Sequence, residues 1–137
     1  MTNEALIEAA RAAMARAYAP YSRFQVGAAL LCADGKVFCG ANIESASYGA
    51  TLCAERVAFS AAVFAGERDF TAIAVVGGNG GKITAECAPC GICRQVMAEL
   101  CAPDFKILLT DGNAVSVHTL GELLPLAFNK ENLKNEQ

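Results

Sequence analysis

Two short segments carry residue types that can do chemistry together. They are Cys53-Ala54-Glu55-Arg56 and, further along, Pro89-Cys90-Gly91-Ile92-Cys93-Arg94-Gln95. Together they offer three thiols that could hold one zinc ion, and a carboxylate that need not touch the metal. A zinc site with three protein ligands keeps its fourth position open for water. A carboxylate beside that position can move protons to and from the water. Cys90, Cys93, Met97, Leu100 and Cys101 fall on one helical stripe, so a helix starting near Cys90 puts two thiols at its first turn. Pro89 suits the residue just before such a start. The unpaired N–H groups and the positive dipole end there favour thiolates. C-x-x-C in that position is a metal or redox signature more than a pair of packing residues.

The earlier segment follows the same logic. Leu52, Glu55, Phe59 and Ala62 share one helical face, an odd place for a charge without a task or a partner. Thr51 is a candidate cap for that helix, but its capping-box partner would be Ala54, so capping does not explain Glu55. Cys53 supplies the third thiolate near this second helix start. Three thiolates on one zinc leave excess negative charge. Arg56 lies three residues from Cys53, where helical side chains are neighbours, and can donate hydrogen bonds to the sulfurs. Arg94, next to Cys93, competes for that role. Cys87 opens a C-x-x-C-x-x-C run of the iron–sulfur kind, but the cysteine and proline expected next are Met97 and Ala98. An iron–sulfur site would therefore need Cys53 or Cys101 instead, and a non-catalytic zinc or iron–sulfur binding module is the alternative to an enzyme. Cys32 and Cys39 fall in strands and read as packing residues. His118, the single histidine, has no partner motif.

These residues need elements to position them. A helical pattern runs from Asn3 to Tyr18, with Leu6, Ala10, Ala13, Met14 and Ala17 on one side, and Pro20 stops it. Phe24 to Cys32 and Lys36 to Glu44 read as a hairpin joined at Asp34-Gly35. A helix from Leu52 to Ala65 ends at Gly66. Phe70 to Gly77 is an apolar run, as in a strand buried on both faces. Gly77 to Gly81 is expected to be a loop, without the G-x-G-x-x-G spacing of a phosphate site. A helix from Cys90 to Cys101, strands at Lys106 to Thr110 and Ala114 to Val117, and a last helix from Thr119 complete the order. Such alternation predicts helices on both faces of a mixed sheet.

Length and charge narrow the partners. A chain of 137 residues predicts one domain, 1–137, with a real core. The formal net charge of −3 and the absence of a Lys/Arg block speak against a nucleic-acid surface and leave room for a small substrate. Glu4, Glu8 and Arg11 interrupt any signal-peptide run, and no apolar stretch approaches the ~20 residues of a membrane span. The expectation is a cytoplasmic protein with no membrane partner. There, seven cysteines are better read as reduced thiols and metal ligands than as a disulfide framework.

The C-A-E and P-C-x-x-C pairing resembles the zinc-dependent nucleoside deaminases. Pro20-Tyr21-Ser22-Arg23-Phe24-Gln25-Val26-Gly27-Ala28-Ala29 is similar to the entry strand of the cytidine deaminase family. Asn42-Ile43-Glu44-Ser45-Ala46-Ser47-Tyr48-Gly49 is similar to its ribose-binding segment. The resemblance covers nearly the whole chain. It implies a three-layer α/β/α sandwich with a mixed five-stranded sheet. It also implies one zinc per chain on Cys53, Cys90 and Cys93, with Glu55 carrying protons and Arg56 balancing charge. The reaction implied is hydrolytic deamination of cytidine and deoxycytidine, a pyrimidine-salvage step. Phe24, Asn42, Glu44 and Ala54 would meet the nucleoside; Asn42 and Glu44 share a strand face and suit sugar hydroxyls. The small members are homotetramers, in which Tyr48 or Phe128 could close a neighbour's pocket. Ser45 stands where the family often has Asn, and Leu126 where it has Gly. Another aminopyrimidine nucleoside, such as blasticidin S, is the alternative substrate.

Overall fold

The computed structural model describes residues 1–134. Helix α1 (Asn3–Met14) starts at Thr2, whose side chain accepts a hydrogen bond from the Ala5 amide at 3.0 Å. It ends earlier than its apolar pattern. Tyr18 is drawn to the sheet margin instead, where its amide donates to the Asn42 carbonyl at 2.9 Å and its carbonyl accepts from the Glu44 amide at 2.8 Å. Strands β1 (Gln25–Cys32) and β2 (Val37–Ala41) form the expected hairpin, with Gly35 at φ 92° in the turn. Helix α2 (Ala54–Phe64) begins two residues later than its stripe, because Leu52 pairs with Ile43 in an isolated bridge. The remaining elements are β3 (Phe70–Asn79), β4 (Lys82–Ala85), α3 (Gly91–Leu100), β5 (Lys106–Thr110), β6 (Val115–Thr119) and the short α4 (Leu120–Leu123). Thr119 and Glu122 form a reciprocal capping box at the start of α4.

The strand order is β2-β1-β3-β5-β6, with β3 and β5 parallel and the other pairs antiparallel. That mixed five-stranded path is the one expected. A sixth strand, β4, pairs with the far end of β3. It arises where a loop was expected. Gly77 and Gly78 continue β3, and the turn is confined to Gly80 and Gly81, at φ 60° and 76°. Two successive positive φ values match the twist of a tight hairpin. Side-chain alternation divides the core. Leu6, Ile7, Ala10 and Met14 of α1 pack on Ala29, Ala72, Ala74, Val76 and Leu108. The opposite face carries Ala28, Leu30, Ile73, Val75, Ile107 and Leu109 beneath α2, α3 and α4. Cys32 joins this second core, whereas Cys39 is exposed on β2. Phe59 anchors α2 there, edge-on to Phe70 at 5.3 Å and tilted against Phe105 at 6.0 Å.

The helices lie close to the sheet because small residues face each other. At Gly27 an added Cβ would press into the Ala10 carbonyl and sit 2.7 Å from the Met14 amide nitrogen. Backbone cannot yield there as a flexible side chain would. Gly27→Ala should therefore lower stability by about 1–3 kcal/mol, the usual cost of overpacking. A urea-unfolding midpoint equal to that of the parent would contradict this account of α1 packing.

Candidate metal centre and active site

Cys53 and Cys90 occupy equivalent places. Each is the residue just before a helix, in extended conformation, and neither side chain caps the backbone amides of its own helix. Both thiols are thus left free at a helix N-terminus. Cys93, in the first turn of α3, is buried beside them. The three sulfurs lie within 4.8 Å of one another, and those of Cys53 and Cys90 are 3.9 Å apart. Zinc–sulfur bonds of about 2.3 Å in a tetrahedron place sulfurs ~3.8 Å apart, so the trio fits zinc with little movement.

Electrostatics around the thiols is uneven. Hydrogen bonding from Cys93, then from Arg56 and Cys90, pulls the Cys53 thiol down to about 5 despite its partial burial. Cys93 moves up, because its thiol donates to Cys53 and is itself desolvated. Arg56 Nη2 donates to Cys53 Sγ at 3.7 Å and to the Thr51 carbonyl at 3.1 Å. It is placed as its spacing from Cys53 predicts. Arg94 is not at a sulfur. Its Nε donates to the Pro89 carbonyl and its Nη1 to the Leu123 carbonyl, both at 2.7 Å, tying α3 to the end of α4.

Glu55 is 4% exposed. Burial raises its pKa above the usual carboxylate range, and the charge on Cys53 adds to this; the Glu55 amide at the helix start opposes it. An upward shift of a buried carboxyl is in the direction that suits a group exchanging protons with a neighbour. It lines a cavity of about 180 Å³ with Asn42, Ala54, Val26 and the thiols of Cys53 and Cys90. Cys87 lines the same cavity, a position its spacing from Cys90 does not reveal. Desolvation, helped by Glu55, Cys53 and Cys90, pushes its thiol up to about 11, so it stays neutral.

The remaining candidates divide. The Asn42 side chain accepts from the Val26 amide at 2.9 Å and donates to the Phe24 carbonyl at 2.8 Å, bridging backbone beside the cavity. Glu44 lies outside the cavity lining. It accepts from the Ser22 hydroxyl and from the amides of Tyr21 and Ser22 at 3.0 and 3.1 Å, and these bonds, Ser22 foremost, lower its pKa. Thr51 does not cap α2; its hydroxyl accepts from the Ser45 amide at 3.0 Å, and Ser45 Oγ accepts from the Ser47 amide at 3.1 Å. Tyr48 and Phe128 are 78% and 60% exposed, free to meet another molecule. Leu126 adopts a left-handed backbone, at φ 53°. His118 pairs with Ser116 Oγ at 3.0 Å on β6, and Ser116 donates to Glu86 at 2.7 Å.

Removal of one sulfur should be decisive for metal binding. Cys93→Ala, purified beside the parent, should carry far less than one zinc per chain by atomic emission, while the parent carries one. Full zinc content in the variant would remove Cys93 from the ligand set.

Comparison with known proteins agrees with this geometry. The family model for the cytidine and deoxycytidylate deaminase zinc-binding region matches residues 1–109. A cytidine deaminase of Halalkalibacterium halodurans is 51% identical, over 98% of this chain and all of that protein. One from Sporosarcina psychrophila is 46% identical, over 97% of this chain and 96% of the relative. The crystal structure of a cytidine deaminase from Burkholderia pseudomallei is 55% identical, with a TM-score of 0.86 over 93% of this chain and all of that one. The cytidine deaminase from Mycobacterium tuberculosis is 41% identical, with a TM-score of 0.79 over 93% and 98% of the two chains. With three thiols spaced for zinc at paired helix starts and a buried glutamate beside them, the chain belongs to the cytidine and deoxycytidylate deaminase zinc-binding family.

Proposed function

We propose that the protein hydrolytically deaminates cytidine and deoxycytidine to uridine and deoxyuridine, as a pyrimidine-salvage enzyme of the cytoplasm. The observation that carries this reading is Glu55, a buried carboxyl in the cavity that also exposes the zinc-binding thiols. Full-length relatives named cytidine deaminases support the substrate. Among the described residues, no helix is long and apolar enough to cross a membrane.

Cys53, Cys90 and Cys93 would hold the zinc. Bound there, it supplies the Lewis acidity that makes water a nucleophile at neutral pH. Glu55 takes the proton that water gives up, delivers it to N3 of the pyrimidine, and later helps protonate the departing amine. Its raised pKa suits both directions of transfer. Arg56 offsets the charge of the thiolates, holding Cys53 in its ionised form. Ala54 and Asn42 line the cavity where the nucleoside would sit. Asn42 has one amide hydrogen and part of its carbonyl left over from its two backbone bonds, enough to meet a sugar hydroxyl. Glu44 would reach the sugar from the rim, and Phe24 would give the base an apolar face.

A cavity of about 180 Å³ is smaller than most small-ligand sites, which bury 70–90% or more of the ligand in roughly 300–1,000 Å³. Walls from neighbouring subunits would complete it. The assembly in this reading is a homotetramer, with Tyr48 or Phe128 closing a neighbour's pocket. Phe128 is well held for that purpose, since Gln95 Nε2 donates to its carbonyl at 2.6 Å.

Two outcomes follow. Glu55→Gln keeps the shape but cannot carry a proton, so it should retain zinc and lose about 10²–10⁴ in kcat. Near-parental turnover by the zinc-loaded variant would remove Glu55 from proton transfer. Phe128→Ala should raise KM about tenfold, equal to ~1.4 kcal/mol of lost contact, with zinc content unchanged. A fully active monomer in sedimentation at assay concentration would overturn the cross-subunit role.

A further inference from the structure

Cys87 stands outside the trio of sulfurs grouped for metal binding, yet it lines the cavity that contains Glu55 and Asn42. Its place there depends on Gly77, near the end of β3. A Cβ added at Gly77 would come within 2.8 Å of Phe24 Cζ, 2.9 Å of Cys87 Sγ and 3.0 Å of Cys87 Cβ. Gly77 does not have a positive φ. The backbone conformation would therefore accept other residues, and space alone calls for glycine. The tip of the Phe24 ring and the Cys87 side chain both occupy the space that a side chain at position 77 would need.

A neutral thiol in such a setting behaves as a small apolar group. One methylene more or less in an apolar pocket changes discrimination between substrates by about 10- to 200-fold. Cys87 lines the cavity, and the backbone of Gly77 lies where a side chain would collide with it, so a change of volume at either position is felt at that wall. We propose that Cys87, packed over Gly77, is a specificity-determining wall residue of the nucleoside cavity that limits the size of the substituent a pyrimidine ring can carry. This rests on the nucleoside deaminase reading above.

The test compares the zinc-loaded parent with Cys87→Ala, Cys87→Val and Gly77→Ala. Each is assayed for kcat/KM on cytidine and on 5-methylcytidine, and for zinc content. Cys87→Ala should raise the ratio of 5-methylcytidine to cytidine activity about tenfold, the lower end of the methylene range. Cys87→Val should lower it, and both variants should keep one zinc per chain. Gly77→Ala should also lower the ratio, and adding Cys87→Ala to it should restore part of the loss, because the two positions compete for one space. If one variant fails to fold, the others still read the ratio. A ratio unchanged in the folded variants would overturn the proposal. So would loss of zinc from Cys87→Ala, which would make Cys87 a ligand. Failure of the parent itself to turn over cytidine would instead overturn the deaminase reading.

Discussion

The structure depends on bringing two helix starts to one point. The N-termini of α2 and α3 present Cys53 and Cys90 side by side, with Cys93 one turn behind. Each helix start carries unpaired N–H groups and a positive dipole end. Both favour the thiolates that zinc requires. The placement of α2 is set by the sheet beneath it. At Gly40 on β2, a Cβ would press into the Ala54 carbonyl and lie 2.6 Å from the Ala58 amide nitrogen. The helix can therefore rest directly on backbone at the turn that carries Glu55. Any side chain at position 40 would lift that turn and with it one wall of the site.

From this convergence the other properties follow. The thiols lie close enough to share protons, so their titration is unequal, with Cys53 lowered and Cys93 raised. Arg56 enters from the same turn and adds a fixed positive charge beside Cys53. Glu55 is buried and lines the same cavity as Cys53, and burial raises its pKa. One short stretch of chain thus supplies a thiol with a lowered pKa, a buried carboxyl with a raised one and a counter-charge. Their different behaviour comes from burial and partners, since all four residues from Cys53 to Arg56 are adjacent in sequence.

Much of this was legible in the sequence. C-x-x-C after proline, a glutamate on an apolar stripe and an arginine three residues from a cysteine are local patterns, and the structure places them together. The Asp34-Gly35 hairpin and the buried strands were equally local. What escaped was set by tertiary contact. Gly77 and Gly78 read as loop because glycine weakens strands, yet β4 closes on them and the true turn is Gly80-Gly81. The start of α2 moved because Leu52 pairs with Ile43. Asn42 and Glu44 were expected on one strand face, but β2 ends at Ala41; of the two only Asn42 lines the cavity, while Glu44 holds the Tyr21-Ser22 turn. Arg56 and Arg94 both lie close in sequence to a cysteine, and packing sends Arg94 to the Pro89 and Leu123 carbonyls while Arg56 reaches the Cys53 sulfur. Cys87 carried no signal beyond three residues of separation from Cys90; its packing over Gly77 exists only in the folded chain.

The central claim is that the metal has three sulfur ligands and one position left for chemistry. X-ray absorption at the zinc edge of the loaded protein measures this directly. The account predicts three sulfur scatterers at about 2.3 Å and one lighter oxygen or nitrogen scatterer at about 2.0–2.2 Å. Four sulfur scatterers and no lighter ligand would mean a closed structural site, with Cys87 or another thiol filling the open position, and would contradict it.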